Sequence, residues 1–138
     1  MDKLIKGRVL DMMSIEHVAI WVRDMEAMKT FYEVYFQAKT NAKYHNKDKE
    51  FESYFLTFDG GARLEIMRKS GVDNPQQNES IGWTHIAISL GSKESVNEKT
   101  TQLVNDGYHL VSGPRLTGDG YYESVVEDPE GNLLELTV

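Results

Sequence analysis

Two histidines and two glutamates recur at matched places along this chain of 138 residues. Together they could hold one divalent metal ion. His17 lies in Ile15-Glu16-His17-Val18-Ala19-Ile20, and His85 lies 68 positions later in Trp83-Thr84-His85-Ile86-Ala87-Ile88. Glu65 in Arg63-Leu64-Glu65-Ile66 matches Glu135 in Leu133-Leu134-Glu135-Leu136, 70 positions on. Phe51-Glu52-Ser53 matches Tyr122-Glu123-Ser124, and Asp59-Gly60 matches Glu130-Gly131. Offsets of 68 to 71 hold throughout. One such match could be chance; several in the same order indicate a doubled unit. The chain has no cysteine. Any metal site must therefore use imidazole and carboxylate, which suits harder divalent ions rather than thiolate-loving ones.

Each copy reads as a strand, a helix and then further strands. Residues 15–22 are rich in β-branched and aromatic side chains and predict a strand. Asp24 suits a helix N-cap, and Met25, Met28, Phe31, Tyr32, Tyr35 and Phe36 recur at helical spacing. In the second copy Ser92 is the candidate N-cap. Val96, Thr100, Leu103 and Val104 form a weaker stripe, and Gly107 suits the C′ position. Residues 51–58 and 62–68 predict a hairpin around Asp59-Gly60-Gly61. Residues 121–127 and 133–138 repeat it around Asp128-Pro129-Glu130-Gly131. This divides the chain into an N-terminal extension (1–13) and one domain (14–138). Within the domain, module one spans 14–68, a polar linker 69–82 and module two 83–138. The extension reads as a tail, a short added helix or an alternative start, with Leu4, Ile5, Val9 and Leu10 available to dock.

Side chains alternate faces along a strand, so parity assigns each residue a side. Val18, Ile20 and Val22 oppose His17, Ala19 and Trp21; Ile86, Ile88 and Leu90 oppose His85, Ala87 and Ser89. Leu64 and Ile66 oppose Arg63, Glu65 and Met67; Leu134, Leu136 and Val138 oppose Leu133, Glu135 and Thr137. Four times, one face is aliphatic and the other carries a single His or Glu. A lone strand histidine is more often structural than ligating, and a lone glutamate on an open sheet face is ordinarily solvated. The repeat changes that balance, because it says where all four should be. Their neighbours Ile15, Trp21, Met67, Trp83 and Leu133 are also apolar, a setting in which a carboxylate needs pairing.

The net charge is −7 with no long basic run, which argues against a phosphate-tracking surface and so against nucleic-acid binding. No apolar stretch approaches the roughly 20 residues of a membrane span. The first residues lack a signal-peptide core. The expected location is cytoplasmic, with no membrane partner.

These motifs, with Val126-Glu127-Asp128-Pro129-Glu130-Gly131-Asn132 before the last strand, resemble the vicinal oxygen chelate superfamily. That superfamily includes glyoxalase I, bleomycin-resistance proteins and extradiol dioxygenases. The resemblance implies an α+β fold of two tandem βαββ modules. Their strands would form a cupped, barrel-like mixed sheet with helices on the outer face, commonly in a homodimer. The His17/Glu65/His85/Glu135 ligand set is similar to that of glyoxalase I, a lactoylglutathione lyase. It implies one Zn²⁺ or Ni²⁺ ion per site, with Mn, Co or Fe also compatible. The implied chemistry is a lyase or isomerase reaction that moves a proton next to a carbonyl through a metal-bound enediolate. Glu135 is the implied base and Glu65 its pseudo-symmetric partner. Glyoxalase I-like enzymes carry an Arg four positions after the first His and an Asn near position 69, both gripping glutathione. Here Trp21 and Lys69 stand there, so glutathione is not the expected thiol.

Trp21, Met67 and Trp83 fall on the metal side as candidate walls of a small-molecule pocket. Arg115 and Tyr121, around Gly118-Asp119-Gly120, are candidates for a lid over an anionic substrate end. Packing of both tryptophans at a dimer interface is the competing reading. His45 and His109 fall outside the repeat and read as solvated. The alternative functions are a metal-free small-molecule or antibiotic-binding protein of bleomycin-resistance type, an epimerase, a fosfomycin-type thiol transferase and a dioxygenase. The site could lie within one chain or take one His/Glu pair from each of two; parity fits both.

Overall fold

The computed structural model describes residues 3–5, 8–10, 12–77 and 79–138. The N-terminal segment contributes a small antiparallel hairpin of β1 (Lys3–Ile5) and β2 (Arg8–Leu10) where a tail or helix was expected. The docking expected of Leu4, Ile5, Val9 and Leu10 concerns side chains outside the described part of the structure. No helix among the described residues is long and apolar enough to cross a membrane.

The rest is a doubled α+β unit. In the first copy β3 (His17–Trp21) leads through α1 (Met25–Phe36) to β4 (Lys39–Thr40), β5 (Tyr44–Asn46), β6 (Phe51–Thr57) and β7 (Arg63–Lys69). In the second, β8 (His85–Ser89) leads through α2 (Lys93–Asn105) to β9 (Leu110–Leu116), β10 (Tyr122–Glu127) and β11 (Leu133–Thr137). The sheet orders are β3-β7-β6-β4, with β5 also on β6, and β8-β11-β10-β9. β3 runs parallel to β7 and β8 parallel to β11, with the remaining pairs antiparallel. The sheets do not close into a barrel. β3 and β8 each lie at a sheet edge.

Local chemistry starts and stops the helices as expected. The Asp24 carboxylate accepts from the Ala27 amide at 3.0 Å, and the Ser92 hydroxyl accepts from the Ser95 amide at 3.1 Å. Gly107 follows the α2 C-cap with φ +94°, a left-handed geometry that favours glycine. Met25, Met28, Phe31, Tyr32 and Phe36 bury the α1 stripe. On α2 the buried residues are Val96, Thr100 and Leu103. Val104, expected in that stripe, is exposed because it lies one step around the helix from Leu103. Strand β9 escaped the sequence reading, because Gly113-Pro114 in its middle looks like a breaker. It is an edge strand, where proline is tolerated.

The aliphatic faces turn to the helices, except at Val138, which lies past the end of β11 and is exposed. Leu64, Ile66, Leu134 and Leu136 are buried beside Met28, Leu56, Val96, Leu103 and Val126 in one core cluster. The two modules meet through this side. Phe31 packs on Tyr108 with ring centroids 5.0 Å apart, and the Tyr35 hydroxyl donates to Asp106 at 2.6 Å. The Glu130 carboxylate accepts from the Arg23 and Asp24 amides at 2.7 and 2.8 Å, so module two places a negative charge at the start of α1. Deepest in the seam, the buried Tyr32 hydroxyl donates to Asp128 at 2.9 Å. Burial pushes the Asp128 carboxyl above its usual range, while Asn132, Tyr32 and the Glu130 amide hold its charged form by hydrogen bonds.

Tyr32→Phe removes one donor to this buried carboxylate without changing shape. We expect about 1–2 kcal/mol of lost stability in urea unfolding. An unchanged midpoint would remove this hydrogen bond from the account of the seam.

Candidate metal centre

The pattern of exposure follows residue parity. On β3 and β8, His17 and His85 sit on exposed positions that alternate with half-buried Val18, Ile20, Ile86 and Ile88. On β7 and β11, half-buried Glu65 and Glu135 alternate with buried Leu64, Ile66, Leu134 and Leu136. Within each sheet the His and Glu belong to neighbouring parallel strands. Ala19 pairs with Glu65, and Ala87 pairs with Glu135. Each His therefore lies diagonally across from its Glu on one face. His17 Nε2 stands 3.8 Å from Glu65 Oε1, and His85 Nε2 stands 3.1 Å from Glu135 Oε2.

The structure thus assembles two His/Glu pairs, one per sheet. It does not bring the four residues together: among the described residues, no three of His, Asp and Glu are grouped to hold a metal ion within one chain. Because the modules meet through their helix sides, both His/Glu faces are left open. The His17 and His85 side chains are 40% and 38% exposed, whereas Glu65 and Glu135 are 15% and 19% exposed. Each pair fits half of a nitrogen–oxygen metal site. Two bonds of about 2.1 Å at a tetrahedral centre would set N···O near roughly 3.4 Å, between the two separations found.

The surroundings of the two pairs differ. At the first, Phe55 is the cross-strand partner of Glu65 and packs edge-on to His17 at 5.2 Å. Arg63, the partner of His17 on β7, lies 4.1 Å from the centre of the Phe55 ring. Glu16 bridges the Arg63 guanidinium and the His17 ring, accepting from Arg63 Nε at 2.9 Å and lying 3.1 Å from His17 Nδ1. The Arg63 hydrogen bonds hold the Glu16 carboxyl down at about 2. At the second, Leu133 and Val125 take the places of Arg63 and Phe55.

A further carboxylate stands beside Glu135. Val125 pairs with Glu135 as Phe55 pairs with Glu65, so the counterpart of Glu123 is Ser53. The motif match in the sequence pairs Glu123 with Glu52 instead. That one-residue slip places Glu52 on the opposite face, where Lys43 approaches it at 3.8 Å. Gly113 lets β9 come close to Glu123: a Cβ there would lie 2.5 Å from the Glu123 carbonyl oxygen. A hydrogen bond with Glu135, then burial and the Glu135 charge, raise the Glu123 carboxyl to about 7.

The candidate pocket residues are dispersed over these open faces. Half-buried Met67 is the cross-strand partner of Trp21, whose ring packs edge-on to Phe51 at 6.1 Å. Arg115 pairs across strands with Glu123, and exposed Tyr121 lies at the tip of the same β-hairpin. Trp83 is 89% exposed just before β8. A depression of about 540 Å³ runs along α2 from Asn97 to Asp106 and touches none of them. His45 is exposed, 3.8 Å from Glu52, and His109 is exposed before β9, apart from both pairs. Glu16, Arg63, Phe55 and Glu123 were not singled out from sequence. Anchoring the strand registers on Glu65 and Glu135 would have found the last two.

The raised Glu123 carboxyl has a consequence for stability. Unfolded, it ionises in the usual carboxylate range; folded and metal-free, it keeps its proton up to about pH 7. Its contribution is therefore full below the usual range and is lost as pH rises through about 7. We expect the urea midpoint of the EDTA-treated protein to fall between about pH 5 and pH 8, and to fall less in Glu123→Gln. Equal falls in both proteins would contradict this.

Comparison with known proteins agrees with this architecture. A family model described as Glyoxalase/Bleomycin resistance protein/Dioxygenase superfamily matches residues 14–136. Among curated protein sequences, none matches the chain. Among solved structures, the trypanothione-dependent glyoxalase I of Leishmania major superposes with a TM-score of 0.74 at 22% identity, over 91% of this chain and 86% of that one. A glyoxalase family protein from Enterococcus faecalis gives 0.74 at 26% identity, over 91% and 97%. A genomically encoded fosfomycin resistance protein from Listeria monocytogenes gives 0.69 at 21% identity, over 91% and 90%. The doubled module, its strand order and the family match together show that this chain belongs to the glyoxalase/bleomycin resistance protein/dioxygenase superfamily.

Proposed function

We propose that this chain is a homodimeric metal-dependent lyase or isomerase that moves a proton on a carbon next to a carbonyl. Residues 14–68 of one chain would close against residues 83–138 of the other. His17 and Glu65 would then share a divalent ion, Zn²⁺ or Ni²⁺, with the partner's His85 and Glu135. The observation that carries this reading is that each chain holds two His/Glu pairs, one on the open face of each sheet. Each pair borders an edge strand, β3 or β8. Ile15 is 70% exposed and Trp83 even more so, next to those edges. Open strand edges and apolar patches of this kind are ordinarily covered in a working protein. Pairing β3 with the partner's β8 would continue both sheets.

When bound, the ion would supply the positive charge that stabilises negative charge developing on the substrate's oxygen atoms. Glu135 would take the proton from carbon and return it to the neighbouring carbon, with Glu65 as its pseudo-symmetric counterpart. Trp21 and Met67 would present an apolar wall to the substrate. An indole cannot grip a carboxylate with two hydrogen bonds, so glutathione is not the favoured thiol.

The test is elemental analysis with light scattering, before and after adding Ni²⁺ or Zn²⁺. It is followed by assays on hemithioacetals of methylglyoxal made with several thiols. We expect about one metal per chain in a dimer. Activity with glutathione should be weak or absent, and Glu135→Gln should slow turnover by about 10²–10⁴-fold. No metal uptake would sink the proposal in favour of a metal-free binding protein.

A further inference from the structure

The two half-sites are unequal in a way that assigns a role to Glu16. Around His17, four side chains form a closed ring. Glu16 meets His17 Nδ1, the His17 ring meets the Phe55 ring, Phe55 carries the Arg63 guanidinium, and Arg63 returns to Glu16 through two nitrogens. The backbone sets this arrangement. The Arg63 amide donates to the Glu16 carbonyl at 2.9 Å, so the two residues sit side by side where β3 and β7 begin. In the second module the corresponding places hold Thr84, Val125 and Leu133, none of which can build such a ring.

We infer that Glu16 is a positioning residue that sets the tautomer and ring orientation of His17 and so prepares its Nε2 as a metal ligand. This rests on the metal-binding reading above. A carboxylate already engaged by arginine can only accept, so the nitrogen facing it carries the hydrogen. That puts the proton on Nδ1 and leaves the Nε2 lone pair directed toward Glu65. A carboxylate behind a ligating histidine fixes its orientation and raises its basicity, and its loss commonly costs about 10–100-fold in metal affinity. Glu16 lies on the surface, where Arg63, itself seated on the Phe55 ring, pairs with it through two nitrogens. His85 has no such carboxylate among the described residues, so the module-one half is the preorganised one.

The test has two readouts. In metal-free protein at about pH 8.5, above the usual imidazole range, ¹⁵N NMR reports which ring nitrogen carries the proton. We expect the Nδ1–H form at His17 in the wild type and the Nε2–H form in Glu16→Ala. His85 should not change. Calorimetric titration with Ni²⁺ should show affinity about 10–100-fold weaker in Glu16→Ala, a smaller loss in Glu16→Gln and none in Thr84→Ala. An unchanged His17 tautomer in Glu16→Ala would overturn the inference even if affinity fell, since charge alone would then explain the fall. Unchanged affinity with a shifted tautomer would overturn the link to metal. If the wild type takes up no metal, the proposed function fails, while the tautomer still decides whether Glu16 directs His17.

Discussion

Alternation along a strand is the constraint on which the rest depends. Leu64 and Ile66 must reach the core beneath α1, so Glu65 between them must face the other way. The same holds for Glu135 between Leu134 and Leu136. On β3 and β8 the half-buried Val18, Ile20, Ile86 and Ile88 turn His17 and His85 outward. A polar group on the helix side would incur the penalty of an unpaired buried carboxylate or imidazole. Packing thus selects the face of all four residues before any ligand is considered. The parallel pairings of β3 with β7 and β8 with β11 then set each His beside its Glu.

The seam between modules decides what those faces can do. Phe31, Tyr32 and Tyr35 dock α1 onto Tyr108, Asp128 and Asp106, and Glu130 caps the start of α1. This contact uses the helix sides of both modules. It therefore turns the His/Glu faces outward and leaves β3 and β8 as open edges. A chain folded this way presents two His/Glu pairs, one on each sheet. The pairs are also distinct in character. His17 lies in a ring of Glu16, Arg63 and Phe55, whereas Glu135 shares its surroundings with Glu123, whose carboxyl is raised to about 7.

Much of this was legible in the sequence because it is local or periodic. The repeat, the caps at Asp24 and Ser92, the C′ glycine at Gly107 and the parity of His17, Glu65, His85 and Glu135 all follow from spacing alone. What was not legible depends on neighbours distant in sequence. β9 hid behind Gly113-Pro114, which reads as a break until its edge position is known. Glu123 was matched to Glu52 by residue type, although the strand register makes Ser53 its counterpart. Glu16 gave no signal at all: its partner Arg63 lies 47 positions away. The choice between a site in one chain and a site shared by two could not be read from parity. The side on which the modules meet within a chain depends on aromatic contacts between α1 and Tyr108.

The central claim is that the two half-sites act across two chains, and a mixing experiment tests it most directly. One variant carries His17→Ala and Glu65→Ala; the other carries His85→Ala and Glu135→Ala. Each alone should be inactive and bind metal poorly. In a heterodimer of the two, one site combines the intact pair of each chain. Mixing with subunit exchange should therefore restore about a quarter of the wild-type metal sites and activity. No restoration, with heterodimers shown to form, would contradict the shared site and place the metal chemistry within a single chain.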